Sequence, residues 1–232
     1  SVSATVASGV VTGVCGTDTN PGTCTTSSVT TLVANTWYKT NSINPSVIYK
    51  ANGTLYALIS DGTNVSGTST YTISKIDTSA PSVKINVGSI KTDRATLTGT
   101  CSDTQSGITK YEYSKDNGKT WVSNGTTNSY TFTGLTKETS YQYKVRCTNG
   151  SGITKEASST NSTLGITNPT IKQTSQTPTG YEYATSKVIG ITYNNTNITS
   201  PNYYFKSSVS ATVASGVVTG VCGTDTNPGT CT

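Results

Sequence analysis

Histidine and methionine are both absent from the 232 residues, and charged side chains make up only 12% of them. Without histidine the chain loses the commonest general base and a favoured metal ligand. No pair of carboxylates marks a glycosidase-like site, and no G-x-S-x-G elbow or phosphate loop occurs. The expectation is a protein that is not an enzyme and carries no cofactor. Lacking Met, and lacking a basic segment followed by an apolar core, the chain reads as an internal stretch of something larger. No apolar run approaches the roughly 20 residues that span a bilayer, so no membrane insertion is expected in this segment. The net charge of +5 is carried by Lys residues that occur singly. That pattern lacks the basic stripe interleaved with aromatics of a nucleic-acid binder, and reads as solvated strand faces or weak attraction to an anionic cell surface.

What is abundant is Thr, Ser, Asn and Gly, with Tyr, Val and Ile recurring at period two between turn signals. Half-buried strands joined by turns produce that pattern, so the predicted class is all-β with almost no helix. Ser1 to Thr25 returns unchanged as Ser208 to Thr232, giving a period of 207 residues from Ser1 to Ser208. Identity over the whole overlap implies recent duplication or continual homogenisation of a long array, and neighbouring copies of the repeat are the expected partners.

Six cysteines fall into three pairs: Cys15 with Cys24, Cys222 with Cys231 in the repeat, and Cys101 with Cys147. Disulfides are favoured over zinc, because there is no His and no CxxC spacing, and they point to an extracellular or cell-surface setting. Ala95, Leu97, Gly99 and Cys101 alternate inward along one strand, as do Tyr141, Tyr143, Val145 and Cys147 along another. Both cysteines thus share the core-facing register, which predicts a cross-sheet disulfide between the second and the penultimate strand of one domain. Cys15 and Cys24 bracket GTDTNPGT, a run of turn residues, and read as a hairpin closed by a short disulfide.

Ile76 to Val83 and Leu164 to Pro169 read as domain junctions. Three segments follow: 1–79, the C-terminal part of an immunoglobulin-like domain; 80–165, a complete domain; and 166–232, the N-terminal part of the next immunoglobulin-like domain. In the complete domain GITKYEYSKDNGKTW and YTFTGLTKETSYQYKVRCTN resemble the fibronectin type III and related immunoglobulin-like modules of secreted and wall-anchored proteins of Gram-positive bacteria. The resemblance implies that Leu135 and Tyr141 flank the turn into strand F, with the Tyr hydroxyl bonded to nearby backbone. The family generally lacks a disulfide, so Cys101 and Cys147 look like a local addition. Joined across the repeat boundary, Asn168–Ser207 and the following 1–79 resemble the bacterial immunoglobulin-like domain that precedes an IDTSAP linker. There Leu55, Ala57 and Ile59 take the register of Tyr143, Val145 and Cys147. The fold class that follows is all-β, with tandem immunoglobulin-like and fibronectin type III-like β-sandwiches in a linear array.

Ser114 to Trp121 (SKDNGKTW) is similar to the Asp-box hairpins of sialidases, which serve folding; a structural hairpin is the default here and sugar binding the alternative. Asp77 and Asp103 are the candidate ligands for calcium at a domain junction. Calcium takes six to eight oxygens, however, and no dense Asp/Glu cluster accompanies them, so solvated loop carboxylates are the default. Tyr203, Tyr204 and Phe205 cannot all point inward on a strand, and form the candidate recognition surface for a glycan or protein, with core or domain-interface packing as the default. The predicted function is a non-catalytic repeat unit of an extended extracellular fibre, filament or stalk. The alternatives are an adhesin or carbohydrate-binding accessory module, and a subunit that polymerises by strand exchange.

Overall fold

A computed structural model describes residues 4–17, 20–180, 182–219, 221 and 231. Every regular element among them is a strand. The first six are β1 (Ala4–Ser8), β2 (Val11–Val14), β3 (Thr25–Thr26), β4 (Thr31–Leu32), β5 (Tyr38–Thr40) and β6 (Ser46–Tyr49). They pair antiparallel into two three-stranded sheets, β4-β1-β6 and β3-β2-β5. Only Ala4, Val11 and Cys15 are buried hydrophobics there, while Val33 and Ile43 are 67% and 94% exposed. So small a core is marginal on its own, because a short segment buries too little of its surface. Next come β7 (Gly53–Ala57) and β8 (Ser69–Ile73), which among the described residues pair only with each other. Leu55, Ala57 and Ile59 do not fill a core in this chain, and Ile59 is 76% exposed. The alternation is correct for a strand, but nothing among the described residues lies over it.

Seven strands then form one complete sandwich: β9 (Ser82–Gly88), β10 (Ala95–Ser102), β11 (Ile108–Ser114), β12 (Val122–Ser123), β13 (Ser129–Phe132), β14 (Ser140–Asn149) and β15 (Thr154–Ser162). One sheet runs β13-β10-β9 and the other β12-β11-β14-β15. This is the two-sheet arrangement of immunoglobulin-like domains, with a short extra strand on the second sheet. Ala95, Leu97, Tyr113, Tyr143, Val145 and Cys147 are at most 1% exposed, and Tyr111, Phe132 and Leu135 close the same core. Each large side chain so buried contributes about 1.5–3 kcal/mol. Their alternation along β10 and β14 is the period-two pattern of the sequence made physical. Rings form a chain through the core, from Tyr113 on Tyr130 at 5.8 Å to Phe132 on Tyr143 at 6.3 Å. Gly99 is required on β10, since a Cβ there would sit 2.8 Å from Val145 Cγ2. The chain is therefore a tandem of β-sandwich units, with the deep core in the central one.

Last come β16 (Thr170–Thr177) and β17 (Ser186–Thr192), a two-stranded hairpin with no third strand among the described residues. No strand is found in 193–219. The second copy of the repeated sequence thus lies outside any sheet where it is described, although the identical first copy forms β1 and β2.

Candidate functional site

The two disulfides whose cysteines are both among the described residues act at opposite scales. Cys101 on β10 and Cys147 on β14 are bonded, with Cα atoms 6.5 Å apart, and so tie the two sheets of the central sandwich together. Cys15 and Cys24 are bonded directly beyond the β2-β3 pairing of Val14 with Thr25. They close a loop of sequence separation 9 at the tip of that hairpin. Cys231 is also disulfide-bonded, while Cys222 lies outside the described residues.

Tyr141 makes the corner that the resemblance implied. Its hydroxyl accepts a hydrogen bond from the Thr136 N–H at 2.9 Å, with Leu135 buried beside it. A second corner of the same build occurs at Tyr38, whose hydroxyl accepts from the Val33 N–H at 2.6 Å. The likeness extends to local geometry: Asn35 and Glu138, each three residues after the leucine, both have positive φ, at 58° and 52°. Thr36 and Thr139 each donate to the carbonyl two residues back. The signal was present in sequence as Leu32-x5-Tyr38 beside Leu135-x5-Tyr141. It was missed because β5 is only three residues long and shows no period.

The Asp-box segment is a tight hairpin. Asn117 and Gly118 have φ of 61° and 84°, the left-handed values its turn requires. Ser114 Oγ donates to Asp116 Oδ1 at 2.7 Å and accepts from the Gly118 N–H at 2.8 Å. Asp116 also accepts from the Thr120 hydroxyl and N–H. Those bonds, Thr120's hydroxyl first, hold the Asp116 carboxyl down at about 2. The polar side chains of Ser114, Asp116 and Thr120 are spent on their own turn, which is what a folding unit needs and a sugar site does not. Arg146 lies 4.2 Å over the Trp121 ring and its Nε donates to Glu112 at 2.9 Å, so that indole face is also occupied.

At one end of the central sandwich the two candidate calcium ligands do meet, but around an amide. Asn149 is 1% exposed. Its Nδ2 donates to Asp77 Oδ2 at 3.0 Å, Asp103 Oδ2 at 3.1 Å and the Ser79 carbonyl at 2.9 Å. Ser106 Oγ donates to Asp77 Oδ2 at 2.5 Å. The Ser106 N–H foremost, then Asn149, lowers the Asp103 pKa. A cation cage needs acceptors where this cluster places an N–H donor. No group of three or more Asp, Glu, His or Cys suited to a metal occurs among the described residues. The cluster is a lock: it fastens the incoming linker, Asp77 to Ser79, onto the sandwich.

A second lock sits at the outgoing linker. Thr199 Oγ1 donates to Asp93 Oδ1 at 2.7 Å, the Thr92 N–H donates to the Asn197 carbonyl at 2.8 Å, and Asn197 Nδ2 donates to the Gly165 carbonyl. Thr199's hydroxyl is the leading cause of a lowered Asp93 pKa. Sequence reading passed over this cluster because Asn194 to Thr199 carries no pattern beyond polarity.

Tyr203, Tyr204 and Phe205 are 48%, 46% and 59% exposed, in a segment without strand structure. Tyr193 packs against Tyr203 at 4.9 Å between ring centres and donates its hydroxyl to the Tyr204 carbonyl. Asn195 Nδ2 donates to the Tyr203 hydroxyl. The strand alternation expected for these three rings is replaced by an irregular turn that leaves all of them half-covered.

No family model and no curated protein matches the chain. Among solved structures it is similar to the PKD1 domain of Vibrio anguillarum Epp, at 15% identity and a TM-score of 0.33, over 38% of this chain and 98% of that one. It is also similar to domains A168–A170 of titin, at 20% identity and a TM-score of 0.33, over 58% and 48%. A third likeness is to chitinase ChiA74 from Bacillus thuringiensis, at 27% identity and a TM-score of 0.31, over 40% and 14%. The fold class rests on the strand pairing within this chain.

Proposed function

We propose that this chain is a repeat unit of an extended extracellular fibre or stalk, non-catalytic, whose partners are neighbouring copies of itself. The observation that carries the reading is the pair of hydrogen-bonded locks that fasten the central sandwich to the chain on both sides, through Asn149 at one end and Asp93 at the other. A spacer needs its beads to hold their direction, and buried or partly buried hydrogen bonds at each junction resist bending as water-exposed linkers do not. The exact duplication of 25 residues at a period of 207 supports an array, because length and repetition are what a stalk is selected for. Disulfide-bonded cysteines with no free thiol among the described residues support an oxidising, extracellular setting. The test is double electron–electron resonance between spin labels at Lys50 and Lys155. A single narrow distance supports a rigid incoming junction, and Asn149→Ala broadens it; a broad distribution in the parent chain contradicts the reading.

A second reading, ligand recognition, is favoured by the half-exposed Tyr203, Tyr204 and Phe205. Reproducible binding on a glycan array that disappears in Tyr204→Ala supports recognition, and silence supports the spacer.

A further inference from the structure

Two hairpins in this chain each carry one apolar face with no cover among the described residues. In β7-β8 the register sets Leu55 opposite Tyr71, Gly53 opposite Ile73 and Ala57 opposite Ser69. Directly paired residues share a face, so Leu55, Ala57, Tyr71 and Ile73 lie together, and Thr54, Tyr56, Thr70 and Thr72 lie on the other side. Leu55 and Tyr71 are 37% and 71% exposed. In β16-β17 Ile171 lies opposite Ile191 and Gln173 opposite Ile189, which gathers three isoleucines on one face, away from Thr170, Lys172 and Thr192. Ile171 and Ile189 are 64% and 51% exposed. A lone two-stranded hairpin is marginal in water, and an exposed apolar face on one is a site for pairing.

The duplicated sequence says what the cover is. Val11 is 6% exposed, and its identical counterpart Val218 is 48% exposed. Ala4 is buried on β1, and Ala211 is exposed in coil. The first copy pairs with residues 26–49, which complete β3 and supply β4 to β6; no strand among the described residues pairs with the second. One sequence is thus in strands where residues 26–49 lie beside it and in coil where they do not, and a copy that supplies those residues supplies β7-β8 directly behind them.

We propose that the isoleucine face of β16-β17 is covered by the Leu55–Tyr71 face of β7-β8 from the following copy of the repeat. One bead then closes across the repeat boundary, with residues 168–207 of one period and 1–79 of the next inside a single sandwich. This rests on the array reading above and names the surfaces that join. The Leu55–Tyr71 face carries no charged side chain and the isoleucine face carries one, Lys187, at the far end of the hairpin from Ile191; two sheets stacked at about 10 Å bury faces of this kind against each other, with such a lysine at the rim. Within the bead, the β1-β6 sandwich sits between the two hairpins in sequence, and its thin core gains the remaining apolar cover it lacks alone.

The experiment compares the 232-residue chain with one lengthened after Thr232 by residues 26–79, using hydrogen exchange read peptide by peptide. The expected result is that amides of 170–177 and 186–192 exchange about a hundredfold more slowly in the lengthened chain, with β10 and β14 of the central sandwich unchanged as an internal reference. Placing I189K in the lengthened chain removes that gain and leaves β1-β2 of the second copy protected. The proposal is overturned if β16-β17 exchanges equally fast in both chains, whether or not the second copy gains strands. Because exchange reads closure and not ligand capture, sugar binding at Tyr204 contradicts the spacer reading without altering this outcome.

Discussion

Asn149 stands where three pieces of chain meet, and it illustrates how one side chain sets a junction. Its carbonyl oxygen accepts from the Ser151 and Ile153 N–H groups while its amide holds Asp77, Ser79 and Asp103. Asn149→Ala leaves these groups short of partners. The expected loss is about 2–3 kcal/mol, visible as a lower calorimetric midpoint. Asp116 sets a pH dependence. Its pKa falls from 3.8 to about 2 on folding, through bonds led by the Thr120 hydroxyl, so the folded state prefers the carboxylate. That stabilisation is complete above about 4 and is lost as pH falls through about 2. Asp116→Asn is expected to lower the urea midpoint at neutral pH and to flatten its decline between these limits. In alkali the sign reverses. Burial raises Tyr113 and Tyr143 to about 12, so both favour the neutral form. Their contribution is intact below about 10 and disappears as pH rises through about 12. Tyrosinate absorbance should therefore rise together with loss of near-ultraviolet circular dichroism.

At the scale of elements, β10 and β14 were legible because Ala95 to Cys101 and Tyr141 to Cys147 keep period two for long enough to fix a face, and a disulfide needs both faces right. The bond closes a loop of sequence separation 46. In the chain-entropy model a loop of that size contributes about 4 kcal/mol. Replacing Cys101 and Cys147 together by Ala should lower stability by roughly 2–4 kcal/mol while strand pairing survives, since the core residues around them remain. The corner at Tyr38 was not legible, because a three-residue strand shows no period and only alignment against the corner at Tyr141 reveals it. Tyr141→Phe removes the acceptor for the Thr136 N–H and should cost about 1 kcal/mol. Leu55, Ala57 and Ile59 alternate as correctly as β14 does, yet nothing among the described residues covers their face. Alternation names the inward face of a strand, and only tertiary contact decides whether an inside exists. The half-covered rings of Tyr203 to Phe205 and the junction bonds of Asn197 and Thr199 were illegible for the converse reason. They depend on irregular backbone, which leaves no periodic mark in sequence.

At the scale of the whole molecule, the proposed fibre is a row of beads held in line. The central sandwich closes by itself, its two linkers are fastened by hydrogen bonds, and the flanking hairpins carry apolar faces with no cover among the described residues, the faces proposed to join the next copy. Strands of about ten residues are roughly 33 Å long, so in the proposed array two sandwiches end to end would advance it by about 70–80 Å per period. Small-angle scattering from chains of one, two and three periods measures this directly. The maximum dimension is expected to grow by that increment with every period added, at constant cross-section. A dimension that instead rises only as the cube root of mass, with a cross-section that thickens as periods are added, contradicts the account.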